Sequence, residues 1–311
     1  MLAALRHGVA WVALAALAGA IGCSPAFQTQ PLPASKADRK FVEVGGFRLH
    51  FDVVGEGAPV LFLHGFSSFL PVWDDTARAL AAGRKSILVD LPGHGRSDRR
   101  EADYTPRGVA ATMLGFLDAI GESRVSVVAH SWGASVALAM ALAAPDRIDR
   151  IVIADGWMFA DQANTFMSWS QREGVGEFLW EWFHDQHVEQ RYAAAFLDPE
   201  AHLDDRVVDA LRGVLERPGS LAAGLAAIRG LKALPEQEKR YGEIASPALL
   251  IWCREDRVSL PHFGEVLSNT LPDATFRVIP LCNHMPMVEQ PAAFVNLLRG
   301  FLPGGVKAVG R

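Results

Sequence analysis

The chain has 311 residues, half of them hydrophobic, and a net charge of −5. This length allows one large folded core with an insertion, or two smaller cores. The basic residues are scattered, and the one basic cluster, at residues 96–100, is flanked by acidic residues, so a nucleic-acid partner is not expected.

The first 23 residues are predicted to form a separate segment. Arg6 precedes an apolar run, residues 9–21, that is short and alanine-rich for a membrane span and is typical of an export signal. Ala20–Cys23 resembles a bacterial lipobox, although the usual leucine three residues before the cysteine is missing. We therefore expect an exported, membrane-anchored lipoprotein, lipidated at Cys23, with residues 24–40 as a flexible tether. A secreted chain, an uncleaved anchor and a cytosolic chain with an apolar start are the alternatives.

Strands alternate with helices along the rest of the chain. Apolar, β-branched runs predict strands near residues 41–44, 47–54, 59–63, 86–90, 125–129, 150–154, 248–252 and 275–279. Helices are predicted near residues 73–82, 106–120, 132–143, 261–270 and 291–300. The second helix has Thr105 as N-cap, Pro106 in its first position and Gly121 just past its end. The alternation predicts right-handed crossovers and a mostly parallel sheet.

The segment between the fifth strand and the third helix is the most informative. His130-Ser131-Trp132-Gly133 follows the strand directly, and an alanine-rich helix follows the motif. This arrangement is typical of a nucleophile elbow, a tight and strained turn that exposes a serine hydroxyl. Residues two before and two after the serine must be small because strand and helix approach closely there, and Ala129 replaces the usual glycine. The alternative is a buried serine in an ordinary crossover.

A serine nucleophile needs a base, and the base needs an acid to orient it. Asp256 follows the seventh predicted strand and His284 follows the eighth. Both lie beyond the carboxyl ends of strands, where ligands bind in open α/β sheets. Glu255 and Asp155, the latter beyond the sixth strand, are the alternative acids.

Together these segments resemble the α/β-hydrolase superfamily. Two upstream stretches add to the resemblance: His64-Gly65-Phe66 after the third strand, and the run from Asp90 to Ser97 after the fourth. The resemblance covers residues 41–156 and 245–302. It implies an α/β-hydrolase fold, with an eight-stranded, mostly parallel sheet flanked by helices.

The resemblance also implies a role for each candidate. Ser131 would attack a carbonyl carbon, His284 would take its proton, and Asp256 would hold the imidazole in orientation. The backbone N–H groups of Phe66 and Trp132 would form the oxyanion hole.

Residues 157–244, between the sixth and seventh strands, are far more than a crossover needs. They are helical in pattern and rich in aromatic residues. The resemblance places a helical cap over the active site here, and residues 303–311 remain as a tail. Most of the aromatic side chains are expected in the core of the cap. Trp157, Trp180 and Trp182 are the candidates for an apolar substrate pocket.

Several other polar residues are interpreted as structural. His64 and His94 are expected to bond loop backbone, and the ring of His130 is expected to point into the protein. Four residues of the insertion could imitate a metal site but are expected to form a solvated helix face: Glu181, His184, Asp185 and His187. No metal and no cofactor is predicted.

The nucleophile narrows the chemistry within the superfamily. Haloalkane dehalogenases and epoxide hydrolases need a carboxylate nucleophile, which Ser131 cannot supply. We therefore expect an ester hydrolase acting on a small molecule with an apolar acyl or alcohol group. C–C bond hydrolysis, aminopeptidase-like amide hydrolysis and perhydrolysis remain alternatives, as does a non-catalytic tethered binding protein. The oligomeric state is left open.

The remaining two cysteines flank the predicted acid and base. Cys253 lies three residues before Asp256, and Cys282 lies two before His284. The resemblance makes their strands neighbours, and an exported protein meets conditions that permit a disulfide. Relatives also have an unpaired cysteine two before the histidine. We leave the pairing open and favour two buried free thiols.

Overall fold

The computed structural model describes residues 40–184 and 188–304, without the side chains of residues 183, 184, 188, 189 and 191. The predicted leader with Cys23, the tether as far as residue 39 and the tail from residue 305 lie outside the described residues. So do Asp185, His187 and the side chain of His184. Within the described ranges, no helix has the length and apolar character needed to cross a lipid bilayer.

Eight strands form a single sheet. They are β1 (Lys40–Val44), β2 (Phe47–Val54), β3 (Ala58–Leu63), β4 (Arg84–Val89), β5 (Val125–His130), β6 (Ile148–Ala154), β7 (Ala248–Cys253) and β8 (Ala274–Ile279). Each predicted strand agrees with these bounds to within two residues.

The strands are ordered β1-β2-β4-β3-β5-β6-β7-β8 across the sheet. β2 pairs antiparallel with β1 and β4, and all other pairs are parallel. The register aligns His130 of β5 with Ala154 of β6, and Cys253 of β7 with Ile279 of β8. The carboxyl ends of these strands therefore meet at one edge of the sheet, which confirms the predicted fold class.

The described helices connect the strands and build the insertion. They are α1 (Asp74–Leu80), α2 (Pro106–Ala119), α3 (Gly133–Ala143), α4 (Thr165–Ser170), α5 (Val175–Leu179), α6 (Val188–Ala193), α7 (Pro199–His202), α8 (Asp205–Leu215), α9 (Ser220–Gly230), α10 (Leu234–Glu238), α11 (Pro261–Thr270), α12 (Pro286–Glu289) and α13 (Pro291–Phe301). The predicted cap of α2 is confirmed, because Thr105 Oγ1 accepts a hydrogen bond from the Gly108 N–H at 3.1 Å. Gly121, just past the helix, has a φ of 81°, a conformation that glycine adopts without strain.

Both faces of the sheet are buried, which explains why the strands are continuous apolar runs rather than alternating ones. On β6, Ile151 and Ile153 join one core cluster while Val152 joins the other. Met113 of α2 belongs to the first cluster and Phe294 of α13 to the second, so helices cover each face. The sheet is thus a rigid platform for the loops at its carboxyl edge.

The insertion between β6 and β7 contains α4 to α10, in agreement with its helical pattern. Arg99, in the loop after β4, binds it at two points: its Nε donates to Ser220 Oγ at 2.8 Å and its Nη2 donates to the Val214 carbonyl at 2.7 Å. Burial lowers the pKa of Arg99 to about 9, and the charge of Arg217 adds to this effect. These contacts attach the insertion to the loops at the carboxyl edge.

Candidate active site

Ser131 lies in the turn between β5 and α3 with a φ of 49°, in the left-handed region that side chains rarely adopt. A Cβ atom at Gly133 would lie 2.7 Å from the His64 carbonyl oxygen, so only glycine fits two residues after the serine. Two residues before it, the fully buried Ala129 is small enough for the same close approach. The turn therefore has the strained backbone and small neighbours predicted for a nucleophile elbow.

Two backbone N–H groups flank the serine as the sequence predicts. Those of Phe66, after β3, and Trp132, at the start of α3, have no acceptor among the described residues. The Trp132 N–H also lies at the positive end of the α3 dipole. Phe66, Ser131 and Trp132 line the same cavity, so both donors are available to a developing negative charge there.

The predicted acid and base are hydrogen-bonded to each other. His284 Nδ1 lies 2.8 Å from Asp256 Oδ2, and both side chains are buried. The other carboxylate oxygen, Oδ1, accepts hydrogen bonds from the N–H groups of Val258 at 2.7 Å and Ser259 at 2.9 Å. Asp256 is therefore held from two sides and keeps the Nδ1 proton on His284, which leaves Nε2 as the basic nitrogen.

Neither alternative acid is the hydrogen-bond partner of the His284 ring, which is Asp256. Asp155 Oδ1 accepts a hydrogen bond from the Cys253 N–H at 2.8 Å, and Glu255 Oε2 accepts one from the Leu281 N–H at 3.0 Å. Asp155 does approach Asp256 and His284, since potential ligand atoms of the three lie within 4.8 Å of one another. Because Asp256 Oδ2 and His284 Nδ1 face each other as hydrogen-bond partners, we interpret the cluster as hydrogen-bonded rather than metal-binding.

Cys253 and Cys282 form a disulfide with their Cα atoms 5.2 Å apart, so the free thiols that we favoured are wrong. The reason lies in the register of the sheet. Cys253 at the end of β7 is paired with Ile279 at the end of β8, and the chain turns back within three residues to bring Cys282 beside it. The bond joins the two loops that carry Asp256 and His284.

The chain is similar to known proteins in sequence and in structure. The family model described as "Alpha/beta hydrolase family" matches residues 60–297. The chain belongs to the alpha/beta hydrolase family. It is similar to a 2-hydroxy-6-oxononadienedioate/2-hydroxy-6-oxononatrienedioate hydrolase from Paraburkholderia phymatum, with 31% identity over 86% of this chain and 96% of the relative.

The chain also resembles a second dienoate hydrolase and a lactone-degrading enzyme. A 2-hydroxy-6-oxo-6-phenylhexa-2,4-dienoate hydrolase from Burkholderia cepacia is 28% identical over the same shares of the two chains, 86% and 96%. Among solved structures, Est816, described as an N-acyl homoserine lactone degrading enzyme, superposes with a TM-score of 0.66 at 26% identity. That superposition covers 85% of this chain and all of Est816.

A cavity of about 910 Å³ opens above Ser131 in this alpha/beta hydrolase. Core loops contribute Phe66 and His284, and the insertion contributes Phe166, Met167 and Ile228. The site is therefore formed jointly by the sheet edge and the insertion. A cavity of this volume can enclose a drug-sized molecule.

The three tryptophans predicted to bind substrate are placed differently. Trp157 and Trp180 line the cavity, and Trp180 is fixed by its Nε1, which donates to Ser170 Oγ at 3.0 Å. Trp182 is not among the lining residues. Both lie in the π-helical turn Trp180–His184, in which two positions rotate the side chain by roughly half a turn, so Trp180 and Trp182 face opposite ways.

His64 and His94 bond loop backbone, as expected, whereas His130 also lines the cavity. His64 Nδ1 donates to the Gly65 carbonyl at 2.8 Å while Nε2 accepts from the Leu91 N–H at 3.0 Å. His94 Nδ1 lies 3.0 Å from the Pro92 carbonyl oxygen. His130 is buried and bonds the His284 carbonyl through Nε2 at 2.7 Å. Burial, assisted by the nearby His284, lowers the pKa of His130 well below its usual value, so this ring stays neutral.

Asn283 is a residue of the site that the sequence did not indicate. Its Nδ2 donates to the Ala194 carbonyl of the insertion at 2.8 Å, and its Oδ1 accepts from the Arg257 N–H at 2.8 Å. The His284 N–H also donates to the insertion, at the Ala195 carbonyl. The segment of His284 is thus attached both to the insertion and to the loop that carries Asp256. Because these partners are far apart in the chain, local sequence patterns carry no signal for them.

Proposed function

We propose that this hydrolase cleaves the C–C bond beside a ketone in a 2-hydroxy-6-oxo-dienoic acid, with Ser131, His284 and Asp256 as its catalytic triad. Similarity to relatives with such substrates, over almost their whole length, carries the proposal. The arrangement of Ser131, Asp256 and His284 beside an apolar cavity also supports it. The helical insertion would act as the cap that encloses the substrate.

The triad geometry favours attack on a carbonyl. With Nδ1 bonded to Asp256, His284 presents Nε2 as the base that takes the Ser131 proton. Ser131 Oγ then adds to the ketone carbon, C6, and the negative charge on its oxygen would be stabilised by the Phe66 and Trp132 N–H groups. The protonated imidazole is stabilised by the Asp256 carboxylate.

Bond cleavage is made possible by the substrate's own conjugation. In the keto form of such an acid, the C2 carbonyl is conjugated with the C3–C4 double bond. When the adduct collapses, the C5–C6 bond breaks and its electron pair is delocalised onto the C2 oxygen as a dienolate. The proton held by His284 neutralises this dienolate and leaves an acyl group on Ser131. Water, deprotonated by His284, then releases the acyl group as a carboxylic acid.

The cavity lining contains groups that suit both parts of such a molecule. Trp157, Trp180 and Phe166 surround an apolar substituent, whereas Arg257 lies among the lining residues as a fixed positive charge. Within the described part of the chain, the Arg257 guanidinium has no acidic partner. It is therefore the group we assign to the substrate carboxylate.

Ester or lactone hydrolysis is the second candidate and the one expected from the sequence. The same acyl-enzyme forms if an alkoxide leaves instead of a carbanion. The mostly apolar lining suits such substrates, and the fold similarity to a lactone-degrading enzyme supports this candidate.

The test is a comparison of substrate classes with the purified protein. We expect the protein to hydrolyse 2-hydroxy-6-oxo-6-phenylhexa-2,4-dienoate, which is monitored through the loss of the substrate's conjugated absorbance. The kcat/KM for this substrate should be higher than that for p-nitrophenyl esters of graded chain length. Ser131→Ala should reduce kcat on the order of 10⁴-fold or more. Ser126→Ala is the matched control, since this buried serine lies on the same strand away from the cavity.

The two candidates predict different outcomes. If the protein hydrolyses esters or lactones but not the dienoate, ester hydrolysis becomes the proposed function in place of C–C hydrolysis. Arg257→Gln should raise KM for the dienoate while leaving KM for uncharged esters unchanged. An equal effect on both substrates would remove Arg257 from carboxylate binding. No activity and no labelling of Ser131 by a fluorophosphonate would refute the triad itself.

A further inference from the structure

Asp155 is a buried carboxyl group that the proposed triad leaves without a role. It follows β6 with a φ of 45°, and its side chain is fully buried. Its backbone N–H donates to the Ile251 carbonyl at 3.0 Å, and its Oδ1 accepts from the Cys253 N–H at 2.8 Å. Both hydrogen bonds are with β7, which therefore fixes the backbone of Asp155 and one oxygen of its carboxyl group.

The second oxygen of Asp155 has no donor. Among the described residues, Oδ2 is buried without a hydrogen-bond partner. On the other side, Asp256 Oδ1 accepts two backbone N–H groups and Oδ2 faces the His284 ring. Asp256 is thus equipped to carry a negative charge, whereas Asp155 is not.

Two carboxylates this close in a buried site cannot both be ionised. Burial raises the pKa of Asp155 well above its usual range, and the Asp256 charge raises it further. The other titratable groups facing the pair are His284, Glu289 on α12, and His130 behind the His284 ring. None of them is a lysine or arginine that would hold a permanent positive charge beside Asp155.

We propose that Asp155 is a positioning residue, a protonated carboxylic acid that donates a hydrogen bond from Oδ2 to the Asp256 carboxylate. This inference rests on the triad of the proposed function. The bond gives Asp256 a fourth donor after Val258, Ser259 and His284. The two carboxyl groups then share one negative charge, which lies on Asp256 beside the imidazole. The added hydrogen bond fixes the orientation of the Asp256 carboxylate.

The proposal predicts a contrast between two substitutions. Asp155→Asn keeps an acceptor for the Cys253 N–H and a donor for Asp256, and asparagine tolerates a positive φ. Asp155→Gly removes the side chain without straining the same backbone. A hydrogen bond to a charged group changes an equilibrium constant by roughly 10- to 100-fold. We therefore expect the rate of reaction at Ser131 to fall by a factor of that order in Asp155→Gly and not in Asp155→Asn.

Inactivation by a fluorophosphonate, measured against pH, tests this without assuming a substrate. Asp155→Asn should react within about threefold of the wild-type rate with the same pH midpoint. Asp155→Gly should react more slowly, with a midpoint at higher pH, because an Asp256 carboxylate that lost a donor binds the imidazolium proton more tightly. The infrared difference spectrum of wild type minus Asp155→Asn should contain the C=O stretch of a protonated carboxylic acid.

Two results would overturn the assignment. If Asp155 is ionised, Asp155→Asn removes a negative charge near His284, so the midpoint moves to lower pH and no protonated-acid band is seen. If Asp155 only supports the fold, Asp155→Gly lowers the urea midpoint but leaves the inactivation rate and pH midpoint unchanged. A wild-type protein that does not react at all would refute the triad and hence the proposed function, which separates the two failures.

Discussion

The disulfide between Cys253 and Cys282 closes a loop of 29 residues that contains Asp256 and ends just before His284. In the unfolded chain, the bond removes conformations that the open loop would sample. Chain-entropy theory gives a loss of about 12 cal/mol/K for a closed loop of 29 residues, or about 3.6 kcal/mol of stability at 25 °C. Breaking the bond should therefore lower the free energy of unfolding by about that amount.

Three variants test this loss of stability: Cys253→Ala, Cys282→Ala and the double variant. Both sulfur atoms are buried, so each substitution also creates a small cavity. Either single variant already breaks the bond and should lose about 3.6 kcal/mol plus its own cavity cost. The double variant should lose only the second cavity cost in addition, so the effects should be strongly non-additive.

Urea denaturation of protein purified under oxidising conditions measures these differences. Reductant in the urea series should lower the wild-type midpoint toward that of the variants, leaving only the difference due to their cavities, and should not change the midpoints of the variants. Additive losses in the double variant, together with a wild-type midpoint that ignores reductant, would mean that the two cysteines are free thiols.

Three further outcomes are expected. Trp180→Phe should shift the chain-length preference by roughly tenfold while Ser131 still reacts with a fluorophosphonate, whereas Trp182→Phe, outside the cavity lining, should leave the preference unchanged. Burial lowers the pKa of His94 from 6.5 to about 3, so the unfolded chain binds the extra proton and stability falls as pH drops through this window. Between pH 7 and pH 4, the urea midpoint of His94→Asn should therefore fall less than that of the wild type. The same pH dependence in both proteins would contradict the lowered pKa of His94. Cys23→Ala should abolish metabolic labelling by a fatty-acid analogue; a wild-type chain that takes up no label would refute lipidation at Cys23.

The strands and the elbow could be predicted because their signals are local. A buried parallel strand needs a continuous apolar run, and a tight strand-to-helix turn that presents Ser131 to a cavity needs small neighbours such as Gly133. The position of Asp256 and His284 followed from the same logic, since each comes directly after a strand. Chain order and local pattern were therefore enough to bring the candidate triad to one edge of the sheet.

The insertion was harder to predict in detail. Its helical nature was visible in the pattern, but which aromatic side chains face the cavity depends on the phase of each short helix and on what packs against it. Trp180 and Trp182 are two residues apart and equally aromatic, yet only Trp180 lines the cavity. The sequence offers no local reason to separate them.

The sequence by itself determined the sheet, the strained turn at Ser131 and the chain order of the candidate serine, acid and base, because neighbouring residues impose them through backbone sterics and apolar periodicity. Only the tertiary structure decided the Cys253–Cys282 bond, the Asn283 contacts with the insertion and the approach of Asp155 to Asp256. Each of these joins groups distant in the chain, and each depends on ångström-scale differences in register and loop path. Residue type and spacing do not encode such distances directly, since they emerge only when the whole core has packed.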